Sequence, residues 1–429
     1  MTGTEASIWR SGAFVRLWSA TAVSYFGSFI TRTALPLAAI LVLGAGALEI
    51  SALRGLELVA GLLVGLVAGA WVDRLRRRPI MIGADLGRAA LLGSIPVAAV
   101  LGALALPQLL VVAFLAAILT TFFDVASRTY LPTVVSKNQL ITANSALTAS
   151  ASVAEFSGFG ISGFLIQLFT APIAIAVDAA SFVVSALALG SIRQPEPDVP
   201  AVVDREPVRR EIRDGLRVVL GSPTLRAIAA AHGSTHLLWG IFGTVYLLFA
   251  TRDLGLGPAA IGIIAGIGGG GSFIGAAAAG RIVTRFGIGQ TMLLGMVGFT
   301  VGSALIPLAP SGAVLVAAAF LIGQQLIADT AGTVYDVVET SLTQSIVGTR
   351  VMGRVNATIS TYTTLLSLIG TIAGGVIAEV LGLRAALAIG LFGGVAAFAF
   401  IWFSPIRGMR GIPAEFLLTP TPDDAPLTE

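Results

Sequence analysis

GAWVDRLRRR (Gly69–Arg78) places four arginines and one aspartate within six consecutive positions, between two long apolar stretches. In hydrocarbon each arginine would cost roughly 2.5–3.5 kcal/mol. The stretch is therefore a tight turn at a membrane surface, joining two spanning helices. Its excess of arginine places the turn in the cytoplasm, where basic residues between spans are retained.

Composition agrees with a membrane protein. The 429 residues are 55% hydrophobic and 11% charged, with a mean hydropathy of +0.91. A soluble chain carries about 25% charged residues, so these charges are too few to solvate a globular surface. The apolar runs are near-continuous and long, without period-two alternation, so they read as helices and not as barrel strands. Cysteine is absent, which excludes disulfides and thiolate metal sites. The net charge of +3 sits at the membrane surface and is no nucleic-acid signal. The basic residues are 25 arginines and the single Lys137, a bias that suggests a GC-rich bacterial genome. No cleavage-site pattern follows the first apolar run, which is expected to stay as a helix.

Breaks at Gly, Pro or charge divide the chain into twelve spans, near 16–42, 49–71, 80–104, 107–126, 141–168, 171–191, 224–250, 257–280, 288–309, 312–335, 355–380 and 383–403. With the N-terminus inside, the even-numbered connections are cytoplasmic. They hold Arg74, Arg76, Arg77 and Arg78, then Arg128 and Lys137, then Arg281 and Arg285, then Arg350 and Arg354, with Arg407 and Arg410 beyond the last span. The outer connections hold only Glu49, then Arg252 and Asp253, then Glu379 and Arg384. Both termini are thus expected in the cytoplasm. Segment 192–223, with Pro195, Pro197, Pro200 and Pro207, reads as a linker between two six-helix halves. Its part from Val208 to Leu220 is expected to form a surface helix with Ile212, Leu216 and Val219 on one face. The expected division is 1–191, linker 192–223, 224–406 and a cytoplasmic tail 407–429.

The halves repeat weakly. Asp124 and Asn144 meet Asp336 and Asn356 at an offset of 212, and GAWVDR (69–74) meets GRIVTR (280–285) at 211. An even number of helices per copy gives parallel repeats. The expected fold is an all-α membrane protein, twelve transmembrane helices as two six-helix pseudo-repeats.

These features resemble a major facilitator superfamily transporter over nearly the whole length. The family's loop signature after its second helix, G-x-x-x-D-R/K-x-G-R-R/K, is matched by Gly69, Asp73, Arg74, Arg77 and Arg78, with Arg76 where the family has glycine. The second copy keeps Gly280 and Arg285 but has Thr284 in place of the acid. ADLGRA (84–89), LPTVVSKNQLITANSAL (131–147), VDAASF (177–182) and GRVNAT (353–358) resemble the bacterial drug-efflux branch that includes macrolide and siderophore exporters. The exporters' fifth-helix pattern ending in G-P-x-x-G appears only as Gly158-Phe159-Gly160-Ile161-Ser162-Gly163, without proline. The resemblance implies a latch on the cytoplasmic side, with an Arg77–Asp124 pair, and substrate bound between rocking halves. It implies a monomeric, proton-driven antiporter for drug or antibiotic efflux, its partners a small-molecule substrate, protons and the lipid bilayer. No cofactor, metal or nucleic acid is expected. A dedicated metabolite or siderophore exporter, an importer, and a non-transporting sensor or scaffold are the alternatives.

Ionisable residues inside spans are the candidates for proton coupling and the substrate cavity. Arg32 and Glu57 lie at similar depth on adjacent antiparallel spans and are expected to face each other, as a structural salt bridge or a tuned proton site. Glu155, near the middle of the fifth span, has no partner nearby in sequence and is the first choice for proton coupling. His232 and His236, one turn apart, share a face of the seventh span, with His236 about 18 Å in. Asp329 in the tenth span is a further cavity candidate, whereas Asp85 with Arg88 reads as a structural pair and Asp178 as a helix-stabilising acid. Gly266–Gly271 matches G-x-G-x-x-G but lies inside an apolar span with no strand before it, which excludes a dinucleotide site. Gly271 and Gly275 suggest close helix packing instead. No Walker, metalloprotease or nucleophile-elbow motif is present, so an enzyme is not expected.

Overall fold

The computed structural model of the chain describes residues 7–72, 74–194, 196, 208–347 and 349–411, without the side chains of 66–70, 208–212 and 349–350. The described residues form helices and no strand. In chain order the helices are α1 (Gly12–Val42), α2 (Ala47–Val72), α3 (Arg77–Val100), α4 (Leu106–Val134), α5 (Leu140–Leu168), α6 (Ala171–Gly190), α7 (Val208–Gly221) and α8 (Pro223–Leu248). They continue as α9 (Pro258–Phe286), α10 (Ile288–Leu308), α11 (Val314–Gln324), α12 (Thr330–Ile346), α13 (Thr349–Leu381), α14 (Leu383–Gly390) and α15 (Phe392–Trp402). Eleven helical stretches among the described residues are long and apolar enough to cross a membrane. Two of them join two α-helices: Val314–Ile346 joins α11 to α12, and Leu383–Trp402 joins α14 to α15. The 26-residue α2 supplies one more, about 39 Å long at about 1.5 Å per residue.

Two helices outrun their apolar spans well past a charge. α4 runs on to Val134, past Arg128, and α12 runs on to Ile346, past Asp336 and Glu339. Backbone hydrogen bonding does not stop where the hydrocarbon does, so hydropathy locates the membrane and not the helix end. Two π-helical turns were not foreseen: Phe249–Asp253 after α8, and Gln325–Asp329 between α11 and α12. A 3₁₀ turn, Lys137–Gln139, joins α4 to α5 behind a capping box made by Ser136 and Gln139, and Lys137 is exposed on it.

Contacts divide the chain into two compact units, Met1–Asp204 with Leu256–Gly266, and Arg205–Gly255 with Ile267–Glu429. The two are built alike. In the first, α1 packs on α5 and α6, and α3 packs on α4 and α6. In the second, α8 packs on α13 and α15, and α10 packs on α12 and α15. Counted as spans, these are the same pairings: first with fifth and sixth, third with fourth and sixth. Glycines let backbones touch along the seams. At the α8–α13 seam a Cβ on Gly240 or Gly370 would strike main chain of the facing helix, and the Thr244 hydroxyl donates to the Thr371 carbonyl at 3.3 Å. Gly271 and Gly275 of α9 lie as closely against the π turn and the start of α12, where the Thr330 hydroxyl donates to the Gly271 carbonyl at 2.9 Å.

The linker helix belongs to the second unit. Val219 of α7 is buried with Leu225, Val347 and Val355, Gly215 lies against Arg354 and Thr358 of α13, and Asp214 pairs with Arg354 at 3.4 Å. Leu216, expected on the same face as Val219, is 45% exposed. The close approach at Gly215 turns α7 so that Gly215 and Val219 face inward and Leu216 and Leu220 face out. The side chain of Ile212 lies outside the described residues.

Candidate functional site

In the first unit, Arg32 sits on α1, Arg54 and Glu57 on α2, and Glu155 on α5. Glu57 does not take Arg32 as its partner. Arg54, one turn away on its own helix, holds the Glu57 carboxylate at 3.2 Å and also donates to the Arg32 carbonyl at 3.3 Å. Arg32 and Glu155 are both exposed. The Arg32 guanidinium lies 6.0 Å from the Phe29 ring and within electrostatic reach of Arg54, Glu57 and Glu155. Phe29 and Phe159 meet edge to face at 5.7 Å, so the charged group has an aromatic wall. Two arginines and two carboxylates thus gather from three helices. The i, i+3 spacing of Arg54 and Glu57 was the available signal for the missed arginine.

The arginine turn is built as a staple. Glu196 accepts the Arg77 main-chain N–H at 2.6 Å and that of Arg78 at 3.3 Å, capping the N-terminus of α3. An anion there meets unsatisfied N–H groups and the positive end of the helix. Arg77 also pairs through its guanidinium with Glu196, at 3.7 Å. The expected Arg77–Asp124 pair is therefore not made. Asp124 lies under the influence of Arg88 and Arg128 instead. Arg78 donates to the Leu189 carbonyl at 2.8 Å and to the Gly190 carbonyl, closing the C-terminus of α6. Arg16 adds a bond to the Ser191 carbonyl at 3.0 Å. Arg74 is exposed, α2 runs through Gly69 to Val72, and Asp73 lies outside the described residues.

In the second unit, His232 and His236 stack edge to face on α8 with ring centres 5.9 Å apart. His232 reaches Glu339 of α12, Nε2 to Oε2 3.9 Å, and lies beside the buried Tyr335. Glu339 is 6% exposed and accepts the Thr343 hydroxyl at 2.9 Å. Asp336 lies within the field of His232 and Glu339. Glu339 was missed because the apolar count ended the tenth span at 335. Asp329 is separate from this group. It closes the π turn, half-buried, and lies within the field of Tyr246. A Cβ on Gly268 of α9 would strike the Asp329 carboxylate and the Gln325 amide, so the two polar ends rest against bare backbone. A π turn adds a residue to the helix and re-aims the side chains around it, a common device at functional positions. No three His, Cys, Asp or Glu side chains come together as a metal site among the described residues.

A third group was read too modestly from sequence. Asp85 and Asp178 are wholly buried and Arg88 is 2% exposed, the three sharing the interior of the first unit. Asp178 is near the start of α6 by count, and counting along one helix does not reveal what its neighbours cover.

Comparison with known proteins fits this architecture. Residues 17–363 match the family model described as Major Facilitator Superfamily. An uncharacterized MFS-type transporter of Mycobacterium tuberculosis is 40% identical over 96 residues, and its Mycobacterium bovis counterpart matches equally. The matched stretch spans 22% of this chain and 22% of those relatives. Among solved structures, a bacterial homologue of the iron transporter ferroportin, inward-facing, superposes with TM-score 0.74 at 16% identity, over 92% of this chain and 99% of that one. The nucleoside transporter NupG gives 0.72 at 13% identity, over 91% and 98%. At such identities the likeness is one of fold. The family comprises transporters and not enzymes. With its model matched over most of the length and its fold shared over 91–92% of the chain, this multi-pass membrane protein belongs to the major facilitator superfamily.

Proposed function

We propose that the chain is a proton-coupled secondary transporter that exports amphipathic small molecules from a bacterial cytoplasm by alternating access. The observation that carries this reading is the set of ionisable side chains on spanning helices of both units: Arg32, Arg54, Glu57 and Glu155 in one, His232, His236, Asp329 and Glu339 in the other. Charge within a membrane span is costly and is retained where it faces a pathway or cavity. Carboxylates there exchange protons, and the Ala, Leu, Val, Ile and Gly that dominate the spans suit a largely apolar ligand. Arg32 with Glu57 and Glu155 serves the cavity of the first unit, and Asp329 with His236 that of the second. The arginine turn, Gly69 to Arg78 with Asp73, acts as the cytoplasmic latch. Its anchoring acid is Glu196, and Asp124 takes no direct part.

The reading is tested by accumulation of fluorescent amphipathic compounds and antibiotics in a pump-deficient bacterium expressing the full chain, with and without a protonophore. Reduced accumulation that the protonophore abolishes is expected. Glu57→Gln, Glu155→Gln and Asp329→Asn should each lower gradient-driven efflux, and proton coupling through these groups is wrong if all three leave it intact. Unchanged accumulation with the protein present in the membrane rejects broad drug export and points to one dedicated metabolite or to import.

A further inference from the structure

The interior of the first unit holds more acid than base. Arg88 of α3 binds Asp85, one turn before it, at 2.5 Å. Its guanidinium is held between two rings, 4.1 Å from the centre of Phe182 and 4.6 Å from that of Phe123. It donates further to the Ser24 and Thr120 hydroxyls, each at 3.4 Å. Its Nε has no hydrogen-bond partner. Asp178 of α6 enters the same pocket but makes no ion pair. Its Oδ1 accepts the Ser181 hydroxyl at 3.1 Å, its Oδ2 is unpartnered, and the Thr31 hydroxyl of α1 lies beside it. Asp85 likewise keeps one oxygen, Oδ2, without a partner, with the Ser185 hydroxyl alongside.

The charges that act on Asp178 are Arg88 and Asp85, both from α3. From α1 the neighbours of the set are Ser24, Tyr25 and Thr31, and from α4 Thr120, Asp124 and Arg128. Arg128 is exposed and Asp124 half-buried, so these two lie at the accessible edge. The one carboxylate of α5, Glu155, is exposed and stays outside the set. The fully buried part is therefore one arginine against two carboxyls. Both carboxyls ionised would leave one uncompensated negative charge in a fully buried interior, which costs several kcal/mol. Arg88 is directed at Asp85, and Asp178 is left to hydroxyls.

We propose that Arg88, Asp85 and Asp178 form a buried site for one proton, with Arg88–Asp85 as the ion pair and Asp178 as the carboxyl that carries the proton. The O–H supplies the donor that a second anion at this place could not. Asp124, within the field of Arg88, Tyr25 and Arg128, lies at the half-buried edge of the set. Gly27 of α1 lies directly against the Asp178 Oδ1 and the Ser181 hydroxyl. Loss of the proton would place an anion against α1, the helix that also carries Arg32, so occupancy here bears on the position of α1. The inference goes beyond the export reading, and its test needs no substrate.

The test is infrared spectroscopy of the purified full-length protein in detergent, reading the carbonyl stretch of protonated carboxylic acids as variant-minus-wild-type differences. Asp178→Asn should remove the intensity of one carboxylic acid. Arg88→Gln should add the intensity of one, because Asp85 then also takes a proton. Ser181→Ala, which removes the bond donated to Asp178, should shift the band to higher frequency, and Ser185→Ala, beside Asp85, should not. Unchanged intensity in Asp178→Asn overturns the proposal. A shift in Ser185→Ala with none in Ser181→Ala moves the proton to Asp85 and overturns the assignment. Should Arg88→Gln fail to fold, the two serine variants and Asp178→Asn decide the matter alone.

Discussion

Two one-turn spacings, Arg54–Glu57 on α2 and Asp85–Arg88 on α3, determine how the charges of the first unit are shared. Arg54 and Glu57 are 21% and 28% exposed, so their pair is partly screened and worth about 0.5–1 kcal/mol. A double-mutant cycle of Arg54→Gln and Glu57→Gln, read as thermal stability in detergent, should return a coupling of that size. The corresponding cycle with Arg32→Gln should return less. Gly27 offers a sharper check. A methyl group there would overlap the Asp178 carboxylate and the Ser181 hydroxyl, so Gly27→Ala should cost about 1–3 kcal/mol and lower the unfolding temperature. Unchanged stability would mean that α1 and α6 are not so close. At this scale the sequence was half legible. Which residues are ionisable and lie within spans could be read directly, as Arg32, Glu57, His236 and Asp329 show. Partners could not, because a carboxylate pairs with the nearest guanidinium in space. For Glu57 that is Arg54, and for Arg77 it is Glu196, an acid placed in the linker by sequence.

Among the elements, α3 is the one whose start is most visibly built. The Glu196 carboxylate satisfies two of its orphan N–H groups and the Arg77 guanidinium together. Glu196 is 6% exposed at its side chain, so Glu196→Gln should cost about 1–2 kcal/mol. Arg77→Ala should cost less, since the main-chain bonds remain. Hydrogen exchange at the first turn of α3 distinguishes the two, rising in the first variant and little in the second. The positions of the spanning helices were legible from apolar runs and charge breaks to within a few residues at most ends. The overruns of α4 and α12 were not, because an amphipathic last turn is helical without being apolar. Neither were the π turns, since one extra residue per turn leaves no mark in composition. The face of α7 was misjudged at Leu216 for a related reason. Apolar spacing shows which residues share a side, but the glycine-to-backbone contact at Gly215 decides which side is inward.

The whole molecule repeats its first-unit pairings in the second, and that regularity makes the topology testable. Asp124 on α4 corresponds to Asp336 on α12, and Asn144 on α5 to Asn356 on α13, as the shared offset anticipated. Within the first unit the Gly69–Arg78 and Lys137 turns lie at the same end of the helices, and within the second so do the start of α8 and the α9–α10 turn. In each unit that end is expected to face the cytoplasm. The chain has no cysteine, so one introduced at the exposed Arg285 or Arg74 would be unique. A membrane-impermeant maleimide should label it in opened vesicles and not in intact cells, and labelling of intact cells would reverse the orientation. The 3₁₀ turn between α4 and α5 has a practical consequence of a different kind. Its Lys137 carries the only side-chain amine in the sequence, every other cation being a guanidinium. Apart from the α-amino group, an amine-reactive dye, biotin or surface tether has one place to attach. The protein can thus be marked at a known junction of its first unit, or held by it, without an engineered substitution.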